Sequence, residues 1–549
     1  MRIAKQVSSL CKIRSCDKLD YIEVTYARVL RGERFSYQIA MRDGTRHHAK
    51  LEVESNIAEY VRTYFVQNAI MDAPVTMADG YDDEHYITKE AGLMPDILIP
   101  TEDRGNIWVP GLGSGSNSVW VDVNIPRTLQ AGEYEIKIRL VEHEKNELIF
   151  EKTMTLEVSD KEILPQKLVY TRWFYADCIA DYHGVDIYSE EHWALIEKYI
   201  CAAVDGGMNM ILLPIHTPPL DTAIGTARPC VQLVDIKKNN DEYIFSFEKL
   251  ERFVAIAKKC GIKYFEMAHM FSQWGAKCAP NIMVEENGER SYMFGWHVAA
   301  DNPEYTAFLP QYIAALSREL DALGIAENTY FHISDEPVEE NMDAYKRARD
   351  MFKPLIGKSR IMDALSDFSF YEKGLVEIPV TRVSHMDKFV GKGVEEQWAY
   401  YCCHPEGTHV NCFMAMPSWR IRMLGVLLYK YDIKGFLHWG LNFYNSQVSL
   451  YKINPYYTTS SGGAFASGDP FILYPSKDGA YTSVRGKLTR EAIGDIDLCR
   501  TAEAKTGREG VLKLIDSLAG FDVTFDKYPA GDDFILTLRE RLLDFITGK

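Results

Sequence analysis

Within its 549 residues the chain has no run approaching the roughly 20 apolar residues that a membrane-spanning helix needs; Met208 to Ile215 is far too short. It also lacks positive charge. The formal balance of −17 excludes a surface built to hold nucleic acid or anionic lipid, because both need a concentrated basic face. Its eleven cysteines contain no Cys-x-x-Cys motif and include the adjacent pair Cys402-Cys403. They read as reduced, mostly buried thiols rather than a disulfide framework or a zinc site. The histidines lack metal-site spacing on any one element, so no metal and no cofactor is expected. The start, Met1-Arg2-Ile3-Ala4-Lys5-Gln6, has neither a long apolar core nor a small-residue cleavage site, and cytoplasmic residence is the expectation. Internal repeats and low-complexity tracts are missing as well.

What is present describes an ordinary globular protein, 46% hydrophobic and 25% charged, too long for one core. Residues 1–160 carry short alternating runs separated by turns. Val119, Val121, Val123 and Ile125 share one face, with Asp122 and Asn124 on the other; Tyr134, Ile136, Ile138 and Leu140 share a face of the next strand. This rhythm predicts an antiparallel β-sandwich. The piece from Met71 to Arg104 reads as loop-dominated.

After Pro165 the pattern becomes strand alternating with helix. Strands are expected near Val169–Trp173, Met210–Pro214, Lys263–Met267, Tyr330–Ser334, Arg360–Met362, Val380–Val383, Trp398–Cys402 and Gly435–Trp439. Eight strands with helical crossovers fit a (β/α)8 TIM-type barrel over residues 161–500. A doubly wound open sheet is the alternative, but no glycine-rich phosphate loop follows the first strand. Residues 501–549 read as a C-terminal helical segment.

The stretch that carries the chemistry is Tyr330 to Pro337, a β-rich run ending in Asp335-Glu336 and a proline. Two adjacent carboxylates repel and resist burial, so the fold either solvates them, as a turn capping the next helix, or uses them. In a barrel they end the fourth strand, at the face where catalytic groups sit. Other strand ends supply Asp177, His216, Trp274, Tyr400, Tyr401, Trp439 and Asn442, aromatic faces and hydrogen-bonding groups that suit a polar ligand with an apolar side. Trp173 and Trp439 also fit a barrel core, and His216 a turn cap. Tyr400 and Tyr401 alternate sides, so only one of them faces the cleft.

Four segments, Trp173 to Cys178, Pro218 to Thr222, Ser334 to Pro337 and Gly435 to Gly440, resemble signature segments of glycoside hydrolase family 123, over about residues 168 to 500. The resemblance implies a retaining exo-β-N-acetylgalactosaminidase acting on a small glycoside or oligosaccharide, alone or as an oligomer. The 2-acetamido group of the substrate would serve as the nucleophile, an exception to the usual pair of enzyme carboxylates. It assigns Asp335 to the acetamido N–H and Glu336 to acid/base transfer, with the neighbouring charge expected to raise Glu336. By the same resemblance Tyr401 would bond the acetamido oxygen and Trp439 would wall the pocket, with Asp177, His216, Trp274 and Asn442 as pocket contacts. Alternatives are a conventional retaining glycosidase with Glu406 as nucleophile, and a carbohydrate-binding barrel without turnover.

Overall fold

The computed structural model describes residues 3–42, 48–76, 83–108 and 115–549. Ten strands form the first region: β1 (Ile3–Ser8), β2 (Tyr26–Arg31), β3 (Arg34–Arg42), β4 (Ala49–Glu54), β5 (Val61–Met71), β6 (Gly92–Pro100), β7 (Ile107–Trp108), β8 (Ser116–Asn124), β9 (Gly132–Glu142) and β10 (Leu148–Glu162). They make two five-stranded sheets, ordered β1-β3-β8-β5-β6 and β2-β10-β9-β4-β7. Val119, Val121 and Val123 of β8 meet Ile136, Ile138 and Leu140 of β9 in one apolar core, as the alternation requires. Every pairing is antiparallel except β10 with β2, which runs parallel. Trp120 and Asp122, on the opposite face of β8, are buried too. That face packs against the second region, where Asp122 pairs with Lys487 at 2.8 Å. Of the Met71–Arg104 piece, residues 77–82 lie outside the described residues, and residues 72–76 and 83–91 run as loop. The piece also contains β6, whose buried Asp96 meets Arg485 at 2.9 Å.

The second region holds eight parallel strands: β11 (Val169–Arg172), β12 (Met210–Leu213), β15 (Tyr264–Met267), β18 (Thr329–Phe331), β19 (Arg360–Leu365), β20 (Ile378–Arg382), β21 (Trp398–Tyr400) and β22 (Gly435–His438). All eight expected strands occur. Their order, β11-β22-β21-β20-β19-β18-β15-β12, is that of a barrel opened between β11 and β12. Asn209 bridges that seam: its N–H donates to Tyr170 O at 3.1 Å, while its side-chain oxygen accepts from Tyr170 N at 2.8 Å.

The surrounding helices are α1 (Ala176–His183), α2 (Glu190–Asp205), α3 (Glu248–Cys260), α4 (Pro303–Ala322), α5 (Met342–Phe352), α6 (Ser369–Glu372), α7 (Ser418–Lys430), α8 (Val484–Ala519) and α9 (Asp532–Thr547). The fifth strand is followed by a four-residue helix and the sixth by a 3-10 turn alone, so the helical ring is uneven. Two unexpected hairpins, β13 (Asp235–Asn239) with β14 (Glu242–Ser246) and β16 (Ile282–Glu286) with β17 (Glu289–Phe294), join as a small sheet above the barrel. Ser189 caps α2 through the His192 N–H, as expected from its position before two acids. The expected boundary at residue 500 falls inside α8, whose backbone breaks instead at Gly507. One expectation fails in the same layer: Cys201 of α2 and Cys260 of α3 are disulfide-bonded, with the other nine cysteines free. Their 59-residue separation hides a contact made by two adjacent helices.

Candidate active site

The chain leaves the β18 ladder at Phe331, three residues before the expected strand end at Ser334. The residues that follow are held by neighbours instead. Met270 N and Phe271 N donate to His332 O and Ile333 O, at 3.1 and 3.0 Å. Ser334 Oγ donates to Ser272 O and accepts from the N–H groups of Gly275 and Ala276. Trp274 N donates to Asp335 O at 2.9 Å. The loop after β15 is thereby stitched to the strand end that bears the acids. Glu336 then takes a left-handed backbone conformation, φ 43°. Such a conformation is unfavourable for a residue with a side chain, and here it breaks the alternation that would send consecutive carboxyls to opposite faces.

Asp335 and Glu336 are both partly exposed at the barrel mouth. Tyr400, at the end of β21, donates its hydroxyl to Glu336 Oε1 at 2.6 Å. Burial, then the charge of Glu336, hold the Tyr400 hydroxyl well above its ordinary pKa, so it remains a donor. Burial raises the Asp335 carboxyl well above its usual range, with Glu336, Asp221 and Asp363 adding to the effect and His332 opposing it. A third carboxyl, Asp221, stands close enough to add its charge. Burial raises it to about 6, against Arg228 and with Glu336. Its own backbone is left-handed, φ 46°, and its N–H donates to Gln273 Oε1 at 2.9 Å.

Below the acids the barrel interior is polar where such barrels usually stack branched apolar side chains. His332 directs Nε2 to Glu266 Oε2 at 3.0 Å and Nδ1 to Asp363 Oδ1 at 3.2 Å. Glu266 also accepts from Thr171 Oγ1 and from Trp173 Nε1. Asp363 accepts from Ile333 N and, at 2.5 Å, from Tyr345 Oη. Burial alone would lower His332, but its bonds to Asp363 and Glu266 prevail and lift it to about 9. His269, His332 and Asp363 bring potential ligand atoms within 4.8 Å of one another. They do not form a metal set. Both nitrogens of His332 are spent on carboxylates, and its ring stacks on His269 at 4.2 Å and 20°, so in-plane lone pairs of the two rings cannot converge on one ion.

The remaining expected residues divide. Trp274 is 43% exposed beside Asp335, with a left-handed backbone. Trp439, 7% exposed, donates Nε1 to Asp469 Oδ2 at 3.1 Å. Asp177 is buried 3.4 Å from Arg228, whose guanidinium lies over the Tyr175 ring at 4.9 Å. His216 is fully buried, donates Nε2 to His269 O at 2.8 Å, and is lowered by burial to about 4. Two do not face the acids. Asn442 is fully buried, with its amide oxygen and one amide N–H spent on the backbone of Tyr175. Tyr401 lies on the outer side of the strand, its ring against Phe436 and His438, so the residue that reaches the acid pair is its neighbour Tyr400. Sequence reasoning missed the placement of Tyr400, Asp221, Glu266 and Asp363. Only Tyr400 had a readable signal, the alternation along the strand.

The model of the glycoside hydrolase 123 catalytic domain matches residues 173–502. The chain belongs to glycoside hydrolase family 123. Every site residue above lies inside that span except Thr171, the hydroxyl that supports Glu266. The chain is similar over its whole length to a solved family 123 glycoside hydrolase from Clostridium perfringens, described in terms of glycolipid glycan hydrolysis. The two share 16% identity, covering 100% of this chain and 98% of that one, with a TM-score of 0.73, which establishes a common fold. Two β-glucuronidases are more remote. That from Bacteroides uniformis has 10% identity over 81% of this chain and 47% of its own, with a TM-score of 0.27. That from Ruminococcus gnavus has 9% over 83% and 66%, with a TM-score of 0.33. No curated protein matches the chain. Family 123 membership makes it a glycosidase acting on glycans. Among the described residues no helix is long and apolar enough to cross a membrane.

Proposed function

We propose that this family 123 enzyme is a retaining exo-β-N-acetylgalactosaminidase whose substrate supplies its own nucleophile. The observation that carries the reading is the adjacent acid pair itself, with Glu336 turned by its left-handed backbone and its carboxyl engaged by Tyr400. In the reaction the acetamido carbonyl oxygen attacks the anomeric carbon while the glycosidic C–O bond breaks. Glu336 gives its proton to the departing oxygen. Asp335 accepts the acetamido N–H and stabilises the cation that forms on the oxazolinium ring. Water then attacks the anomeric carbon, Glu336 takes its proton, and the configuration is retained.

The raised Asp335 fits this sequence of events. In the free enzyme burial and the neighbouring carboxyls let Asp335 hold a proton readily. An acetamido N–H donating to Asp335 favours its ionised form, which leaves the proton for Glu336. Substrate binding thereby sets the pair for catalysis. Trp439 and the exposed Trp274 would form the apolar walls. We read the barrel as a (β/α)8 fold whose fifth and sixth units have nearly lost their helices.

A conventional mechanism through Glu406 is disfavoured. That residue is 3% exposed, and its carboxylate accepts from the N–H and hydroxyl of Thr76 in the first region. The test is hydrolysis of nitrophenyl β-glycosides bearing either a 2-acetamido or a 2-hydroxyl group, each in galacto and gluco form. Turnover confined to the acetamido sugars is expected, with the galacto epimer preferred. Turnover of the 2-hydroxyl sugars would overturn the substrate-assisted route.

A further inference from the structure

We propose that His332 is a positioning residue, a buried cation clamped between Glu266 and Asp363 that anchors the strand end under the acids and opposes the negative charge gathered around Asp335. The proposal rests on the reading of Asp335 and Glu336 as the catalytic pair. Its geometry is independent of that reading.

The donors around the cluster favour one arrangement of its protons. Trp173 Nε1–H and Ile333 N–H can only donate, so Glu266 Oε2 and both oxygens of Asp363 are acceptors toward them. The hydroxyls of Thr171 and Tyr345 donate to the same two carboxylates. Together the two carboxylates accept two N–H and two hydroxyl donors, which favours their ionised forms against the burial that raises Asp363. Each His332 nitrogen faces one of these acceptors, and two acceptors in contact repel, so both nitrogens carry hydrogen and the ring is an imidazolium. No part of the cluster is exposed to solvent, where the charge would be screened.

The site is therefore asymmetric in charge. Asp335 faces Glu336 on its own segment, Asp221 from the loop after β12, and Asp363 from β19, all of them anionic when ionised. His332 is the cation that opposes them. Around His332 itself stand Glu266 of β15, Asp363 of β19 and the stacked, neutral His269. Burial first, then the His332 charge, hold His269 well below its ordinary value, so it adds no second cation. The same Asp363 that holds His332 also holds Ile333 N, two residues before Asp335. One carboxylate thus fixes both the position of the strand end and the cation beneath it.

Two variants separate these roles. His332→Gln removes the cation. Tyr345→Phe loosens the same Asp363 carboxylate without changing any charge. Carboxyl-13C aspartate labelling of the full chain, with Asp335→Asn to assign the signal, reads the Asp335 titration directly. His332→Gln is expected to move its midpoint up, the effect of losing an opposing charge, and Tyr345→Phe to leave it in place. An unmoved midpoint in His332→Gln, or an equal movement in Tyr345→Phe, overturns the proposal. If His332→Gln does not fold, imidazole 15N spectra of the unaltered protein decide: both nitrogens protonated at pH 7 and titrating near 9 support it, and a neutral ring at pH 7 refutes it. The acid limb of kcat/KM on the acetamido galactoside should follow the same upward shift in His332→Gln. If none of the four nitrophenyl glycosides is hydrolysed, the proposed function fails, while the two spectroscopic titrations still settle the role of His332.

Discussion

Replacing Tyr400 by Phe deletes one oxygen and one hydrogen bond, the 2.6 Å contact from its hydroxyl to Glu336 Oε1. A hydrogen bond to a charged group contributes about 1.5–3 kcal/mol, and each 1.4 kcal/mol is a factor of ten in rate. If Tyr400 holds Glu336 in place for proton transfer, Tyr400→Phe should lower kcat by about 10- to 150-fold on a glycoside with a poor leaving group. On a nitrophenyl glycoside, which needs little protonation, the loss should be several times smaller. Tyr401→Phe is the matched control, because that buried hydroxyl has no hydrogen-bond partner among the described residues and lies on the far side of the strand. It should leave kcat within about twofold and stability unchanged or slightly higher, since an unpaired buried hydroxyl is lost. The assay is steady-state kinetics on a leaving-group series for both variants. Equal losses in Tyr400→Phe and Tyr401→Phe, or no leaving-group dependence in Tyr400→Phe, would refute the placement of Glu336 as the proton donor.

Two further outcomes are expected. Glu406→Gln should keep catalysis within about twofold yet cost about 1–3 kcal/mol in a urea melt, because it weakens the buried bonds to Thr76; a hundredfold loss of activity rescued by azide would instead make Glu406 the nucleophile. Two buried histidines should act on stability in opposite pH ranges. Buried His216 is lowered from 6.5 to about 4, so its contribution, about 3 kcal/mol, is present above 6.5 and lost as pH falls toward 4. His332 is raised from 6.5 to about 9, so its contribution is present below 6.5 and lost as pH rises through 9. Thermal melts across pH 4 to 10 read both limbs; His216→Gln should flatten the acid limb alone, and an acid limb as steep as before would contradict the assignment.

The eight barrel strands were legible because each is a short apolar run that ends at a polar group or a turn, as Met210–Leu213 does. The acid pair stands out in the sequence because two adjacent carboxylates at a strand tip must be either solvated in a turn or used. Glu266 and Asp363 were not legible, because a carboxylate inside a strand signals solvent unless its partners are known, and those partners come from β11 and its end, the segment after β18, and helix α5. Tyr401 was preferred over Tyr400 by analogy, while the parity of β21 decides the other way. Asn442 had the chemistry of a sugar contact, but its amide is consumed by the backbone of Tyr175. The hairpins β13–β14 and β16–β17 went unseen because most of their residues are exposed or only partly buried, so no apolar stripe marks them.

The first region reaches into the barrel rim at several points. Lys12 Nζ donates to Met414 O and Met416 O at 2.7 and 2.6 Å, Asp72 accepts from Thr458, Thr459 and Ser460, and Asp83 pairs with Arg420. Rim loops after the seventh and eighth strands therefore borrow part of their shape from residues more than 330 positions away in sequence. The two regions cannot be traded between relatives like interchangeable modules. A lineage that alters its substrate by remodelling those loops must alter the first region with them, and a barrel transplanted onto a foreign partner would inherit the acids without the hands that hold the rim.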